Sequence, residues 1–432
     1  SLAWPMIITD SFWAVGMTVD MIWVGRLGSA SIAGVGIAGM IVMLLMMGRM
    51  GLNMGMRAMV ARFVGAGDDK GANHVAQQSF VISGIYAVVM ASIGVLFAEP
   101  MLRIFGVEAD VVAEGAAYMR IMFIGAAAMS FRMMSSSIMQ ASGDAKTPMK
   151  VNIFFRLFHV ALCPFLVFGW WIFPRLGVSG AALTNVLSQI LGTGIGFWFL
   201  FSGRSRLRVS LRDFHLDLGI IWRIVKVGIP ASVMGMQRSL GNLVVMWFMA
   251  PFGTLAVAAH TLGQRIERFL FIPGMGMGMG AGVLVGQNLG AQKPERAEKG
   301  GLLAAGMVAG IMLFFSVAVL LWPGSIIRIF SPEADLVAIA SSFLRIAAAG
   351  YIMMSLNAVF RQFLSGAGDT LAPMVISILM IWLVQMPLAA ILPQVANLGV
   401  YGVRWAIVAG MVVGAVAYII YFRTGRWKRK KV

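Results

Sequence analysis

Twelve apolar stretches follow one another along the 432 residues, near 4–25, 31–56, 74–98, 112–138, 149–171, 177–202, 219–249, 254–287, 296–322, 336–362, 372–393 and 399–422. Most are close to the ~20 residues that a helix, rising about 1.5 Å per residue, needs to cross the hydrocarbon core. This pattern predicts an all-α polytopic membrane protein with 12 transmembrane helices. Charge content agrees, since only 12% of residues are charged, about half of what a soluble domain carries.

The chain also repeats itself. Pro5 pairs with Pro230, Gly28 with Gly253, Gly65-Ala66 with Gly290-Ala291, and Arg103-Ile104-Phe105 with Arg328-Ile329-Phe330, always 225 residues apart. Glu108-Ala109-Asp110 and Glu333-Ala334-Asp335 keep that offset, as do Gly143-Asp144 with Pro148-Met149 and Gly368-Asp369 with Pro373-Met374. Leu176-Gly177-Val178 returns as Leu398-Gly399-Val400 after 222 residues. Six helices per half is an even number, so the halves share one orientation and are expected as two six-helix bundles related by a pseudo-twofold along the membrane normal. The expected organisation is a lobe at 1–202, a basic linker at 203–218, a second lobe at 219–422 and a basic tail at 423–432. A pair of like bundles that can open a cleft to either side is the architecture of a carrier.

The net charge of +17 raises nucleic acid as a partner, but its distribution argues for a membrane instead. Assigned alternately to two sides, the loops and tail carry 18 Lys and Arg on one side against four (Arg26, Arg103, Arg175 and Arg328) on the other. That asymmetry places both termini in the cytoplasm of a multi-pass protein in the plasma (cytoplasmic, or inner) membrane. The basic tail reads as a flank touching lipid headgroups. Cys163 is the single cysteine and lies within a span, which excludes a disulfide or a cysteine-based metal site.

Polar groups inside the spans are the candidates for function, because a charge in hydrocarbon costs at least a few kcal/mol. Asp10 and Asp20 lie on the first span. Each reads as a proton-accepting group or as a polar residue satisfied by a neighbouring helix. Asn152, Arg156 and His159 share a face of the fifth span; Asn185 and Gln189 share one on the sixth. His159 titrates near neutral pH when unperturbed, or serves as an interhelical hydrogen-bonding group. Arg49, Arg57 and Arg132 lie near the ends of their apolar stretches and are expected to snorkel. Asp144 and Asp369, in short turns before helices, are expected as caps.

The second half carries Gln237, Arg238 and Asn242 on the seventh span, and His260, Gln264, Arg265, Glu267 and Arg268 on the eighth. Glu267 reads as pinned by its neighbouring arginines or as a proton carrier. Met275 and Met277 belong to the run Gly274 to Gly280, where flexible thioethers beside glycine suit a surface that repacks around varied apolar shapes. Close helix packing is the plainer reading. The substrate cavity is therefore sought at Asp10, Asn152, Gln264, Glu267, Met275 and Met277. The sequence contains no metal-ligand cluster, phosphate loop or nucleophile triad.

Several stretches together resemble the multidrug and toxic compound extrusion (MATE) family. They are Val19 to Gly28, Gly143 to Met149, Gly180 to Thr184, Ala250 to His260 and Val285 to Ala291, and the resemblance runs the full length. It implies a secondary antiporter, not an enzyme, working as a monomer without a cofactor. Amphipathic and cationic organic compounds would be exported by alternating access in exchange for H+, less favourably Na+. Asp20 matches the first-helix aspartate that the family uses for cation coupling, while His159 and Gln189 stand where relatives carry an asparagine and an aspartate; with Asn185 these are the expected cation-coupling residues. Arg238 and Met354 stand where the NorM-like branch carries carboxylates, which brings the chain closer to the DinF-like branch. A lipid-linked oligosaccharide flippase of the same superfamily is the alternative, kept open by Arg49, Arg132, Arg156 and Arg238. An intramembrane lipid-modifying enzyme comes next, then a channel.

Overall fold

The computed structural model describes residues 2–9, 11, 12, 23, 27, 29–104, 106, 108–212, 214–395 and 398–430. Asp10 and Asp20, on which the sequence reading placed most weight, lie outside them. The described residues are helical, with no strand. Among the described residues, nine helices are long and apolar enough to cross a membrane, and two bent pairs bring the spans to as many as eleven. The expected first span falls largely outside the described residues, with 3–9 helical within it.

The spans run as Ser29–Gly65, Asp69–Arg103, Ala109–Ile124 joined to Ala126–Ala141, Lys146–Phe168 and Gly177–Phe201 in the first half. The second half has Leu218–Met249, Thr254–Gly290, Pro294–Leu321, Ala334–Ala348 joined to Tyr351–Gly366, Leu371–Val395 and Val400–Arg423. The 225-residue repeat is visible in the backbone itself. Both bent spans break at matching places, by 45° beside Gly125 and by 53° at Ala349–Gly350. Gly143 and Gly368 both adopt a left-handed φ, 96° and 89°, which a side chain with a Cβ rarely tolerates.

The chain forms two compact units, Ser1–Gly228 and Ile229–Val432. One core of the first unit gathers Met46, Met90, Leu102, Met119 and Phe123. The core of the second unit gathers Met249, Phe343, Leu344, Tyr351 and Val403. Helices there approach closely through small residues. Gly274, Gly278 and Gly282 lie against Tyr351–Gly366, and a Cβ on Gly366 would fall 2.1 Å from Gly282 O. The glycine–methionine run thus packs one helix on another.

The linker is not a free tether. Asn73 Nδ2 donates to Ser210 O at 3.1 Å, and Gln78 Nε2 to His215 O at 2.7 Å. Asp217 accepts from Ile220 N at 3.1 Å and sits 3.2 Å from His74 Nε2. Those bonds, the backbone one first, hold the Asp217 carboxyl below its usual range. A depressed carboxylate stabilises the fold above its unfolded pKa, and the contribution is lost as pH falls through the folded value. The linker anchor therefore persists at neutral pH.

The two repeat aspartates do different work. Asp144 accepts from Thr147 N at 3.0 Å, a helix cap. Asp369 is buried, accepts from the Tyr421 hydroxyl and lies 3.4 Å from Lys430 Nζ. The expectation that both cap is corrected for Asp369: the basic tail reaches over it through Lys430. Trp427 anchors that tail by stacking on Phe422 and donating Nε1–H to Phe422 O at 2.9 Å.

Gly366→Ala should lower the thermal unfolding midpoint of detergent-purified protein, with a destabilisation of about 1–3 kcal/mol from overpacking against backbone. Gly306→Ala, where a Cβ meets nothing within 4 Å, should leave the midpoint unchanged.

Candidate functional site

Each unit carries its own cluster of polar side chains within the spans, built on a guanidinium group. In the first unit that group is Arg132, 7% exposed. Its Nε donates to Gln189 Oε1, and its Nη1 donates to Asn152 Oδ1 at 2.7 Å. Asn152 in turn donates Nδ2–H to Pro148 O at 2.7 Å. One turn before Gln189, the Asn185 Oδ1 lies 3.5 Å from Gln189 Nε2. Arg156 Nη1 is 3.3 Å from His159 Nδ1. The Arg132 and Arg156 guanidinium groups both lie over the Phe155 ring, 4.5 and 5.1 Å from its centroid, a favourable cation–π arrangement.

The spacing read from sequence thus brings Asn152, Arg156, His159, Asn185 and Gln189 into one buried region of the fourth, fifth and sixth spans. The expectation of snorkelling arginines is corrected. Arg49 is 2% exposed and donates to Ser83 Oγ at 2.8 Å and Ser130 O at 3.1 Å. Arg57 is buried as well. The helix Ser29–Gly65 continues nine residues past the apolar stretch that ended at 56, so these side chains start from the helix interior and not from its end.

In the second unit the centre is Arg404, 2% exposed on the last span. It forms an ion pair with Glu267. Its Nη1 also lies 3.2 Å from His260 Nδ1. The other ring nitrogen of His260, Nε2, lies 3.1 Å from Gln264 Nε2, so both ring nitrogens face N–H groups. His260, Gln264 and Glu267 share one helix face. Glu267 is pinned, as one reading of the sequence had it, but by Arg404 at a separation of 137 residues and not by its neighbours Arg265 or Arg268. Sequence reasoning passed over Arg404. The available signal was its charge in the middle of an apolar stretch.

These groups line a cavity of about 220 Å³ within the second unit. Arg238, Asn242, Arg268, Asn357, Arg361 and Gln385 face it too. Gln237, at its edge, donates to Ser377 Oγ at 2.8 Å. On the eleventh span, Leu379–Gln385 is wound as a π-helix, a local expansion frequent at functional sites; it brings Met380, Ile381 and Gln385 to the wall. Gln264 and Glu267 are among the lining residues of this cavity, and Asn152 is not. Met275 and Met277 are not among its lining residues. Asp10 and Asp20 lie outside the described residues.

Removing the acid from the Arg404–Glu267 pair strands a buried cation. Glu267→Gln should therefore destabilise the protein by about 3 kcal/mol, read as a lowered unfolding midpoint. Arg265→Gln, at an exposed position on the same helix, should leave the midpoint unchanged.

With this geometry in hand, comparison with known proteins is specific. The chain is 24% identical over 423 residues to the probable multidrug resistance protein NorM of Thermotoga maritima, covering 96% of this chain and 89% of that protein. It is 25% identical over 435 residues to the probable multidrug resistance protein YoeA of Bacillus subtilis, covering 99% and 93%. A solved outward-facing structure of a multidrug resistance MATE family transporter of the MOP superfamily superimposes with a TM-score of 0.91 at 25% identity, covering 98% of this chain and 94% of that one. The family model described as MatE matches twice, at residues 5–165 and again at 230–391, and its two matches start 225 residues apart. The chain belongs to the MatE family: it is a multi-pass membrane transporter and not an enzyme.

Proposed function

We propose that this transporter is a proton-coupled antiporter that exports amphipathic organic compounds from the cytoplasm by alternating access. Family membership carries the export reading. The coupling reading is carried by the first-unit cluster, where Arg132 already engages the side-chain oxygens of Asn152 and Gln189. Sodium needs several oxygen ligands, as hard cations do, and here two of the nearest are occupied by a fixed cation. A proton needs only a titratable group, and Asp20 and His159 are the ones chosen here among those that the first half carries within its spans.

In this account Asp20 takes up a proton with the carrier open outward. Its neutralisation rearranges the polar contacts of the first, fifth and sixth spans, substrate leaves, and the protonated carrier turns inward to release the proton. A clean switch between two states needs about 5.5 kcal/mol of differential stabilisation, within reach of a proton combined with a substrate. Both termini are assigned to the cytoplasm by the asymmetry of basic residues, in the plasma membrane that the bacterial relatives imply. The absence of carboxylates at Arg238 and Met354 supports placement on the DinF-like side of the family.

The test is efflux of a fluorescent amphipathic compound from proteoliposomes. A pH gradient alone should drive it, a Na+ gradient alone should not, and Asp20→Asn should reduce it to the protein-free rate without changing the unfolding midpoint. Sodium-driven efflux, or undiminished pH-driven efflux in Asp20→Asn, contradicts the coupling assignment.

A further inference from the structure

The charge of the second-unit cavity points away from the cationic substrates that family resemblance implied. Four guanidinium groups line it, on Arg238, Arg268, Arg361 and Arg404. Glu267 is the one carboxylate in the lining, and Arg404 takes it. Among the described residues, no carboxylate lies within ion-pair distance of Arg238, Arg268 or Arg361. Arg238 rests instead over the Phe271 ring, 4.8 Å from the centroid. Arg238 and Arg268 are exposed and Arg361 is half-buried, so three cations without a carboxylate partner face one solvent-reached cavity and repel one another.

We infer that this cavity binds the anionic group of an amphipathic solute: a carboxylate, sulfonate or phosphate carried on an apolar body. Guanidinium forks match such groups with paired, charge-assisted hydrogen bonds. The amides of Asn242, Gln264 and Gln385 add donors to the same wall. Met234, Met354, Met380 and Met411 supply the adaptable apolar remainder. An anion would relieve the repulsion between the arginines, whereas a cation would add to it. The inference rests on the export reading above and names the substrate class for it. The same chemistry is met by a soluble organic anion and by the headgroup of an anionic lipid.

Two dyes sharing a xanthene core separate the charge from the shape: sulforhodamine B, anionic through its sulfonates, and rhodamine 6G, cationic. Binding is read by fluorescence anisotropy on the full chain in nanodiscs of neutral lipid, with no ion gradient. Sulforhodamine B should bind, and Arg238→Gln and Arg361→Gln should each weaken it by about tenfold, the loss of one charge-assisted contact. Arg238→Lys, which keeps the charge, should recover much of that loss and shows that the glutamine variants fail through charge and not through folding. Rhodamine 6G should bind more weakly than the anion and should not be weakened by either glutamine variant. Competition when phosphatidylglycerol replaces part of the neutral lipid supports the site with headgroups as its anion source. Absence of competition supports it with soluble solutes. Tighter binding of rhodamine 6G, or sulforhodamine B affinity unmoved by both glutamine variants, overturns the inference. The experiment is separable from the coupling account: anion binding without proton-driven efflux sinks only the coupling, and efflux without anion binding sinks only the cavity assignment.

Discussion

A guanidinium group within a membrane span must be satisfied by the protein, and that requirement fixes the interior of each unit. Arg132 in the first unit and Arg404 in the second are nearly fully enclosed. Each ties together spans that the apolar effect alone would not orient, since lipid tails are as apolar as leucine. Arg132 joins the fourth span to the fifth and sixth through Asn152 and Gln189. Arg404 joins the last span to the eighth through Glu267 and His260. Helices pinned at such points have a defined rotation about their axes, which is what lets the remaining polar side chains face one region.

The two halves keep a common backbone and differ in chemistry. Matching bends, matching left-handed glycines and matching helix starts persist at the repeat offset. The polar contents do not match: the first unit pairs guanidinium groups with neutral amides, while the second balances one arginine with a glutamate and leaves three others facing a cavity. Duplicated bundles freed from identical duties can divide the work of a carrier, one half responding to the coupling ion and the other meeting the solute. Asp144 and Asp369 show the same divergence on a small scale, a helix cap in one half and a tether for the tail in the other.

Most of the fold was legible in the sequence, because apolar length and internal repetition are properties of the chain itself. The ends of the helices were less so. Apolar stretches stop where charges begin, but Ser29–Gly65 runs nine residues past that point, so Arg49 and Arg57 start from the helix interior and are enclosed, not snorkelling. The first-unit cluster was readable through its i, i+4, i+7 spacing on single helices. The Arg404–Glu267 pair was not, since its partners are brought together only by the tertiary fold. The π-helical turn that carries Gln385 to the cavity wall likewise left no pattern in the local sequence.

The claim at the centre of this account is that protonation in the first half controls solute binding. Equilibrium binding of a dye whose own charge is constant, measured across pH on the wild-type protein and on Asp20→Asn, tests it most directly. The account predicts that wild-type affinity falls as pH is lowered, and that Asp20→Asn binds at every pH with the weak affinity the wild type shows in acid. A pH dependence that survives in Asp20→Asn, or wild-type binding that is flat with pH, would contradict it.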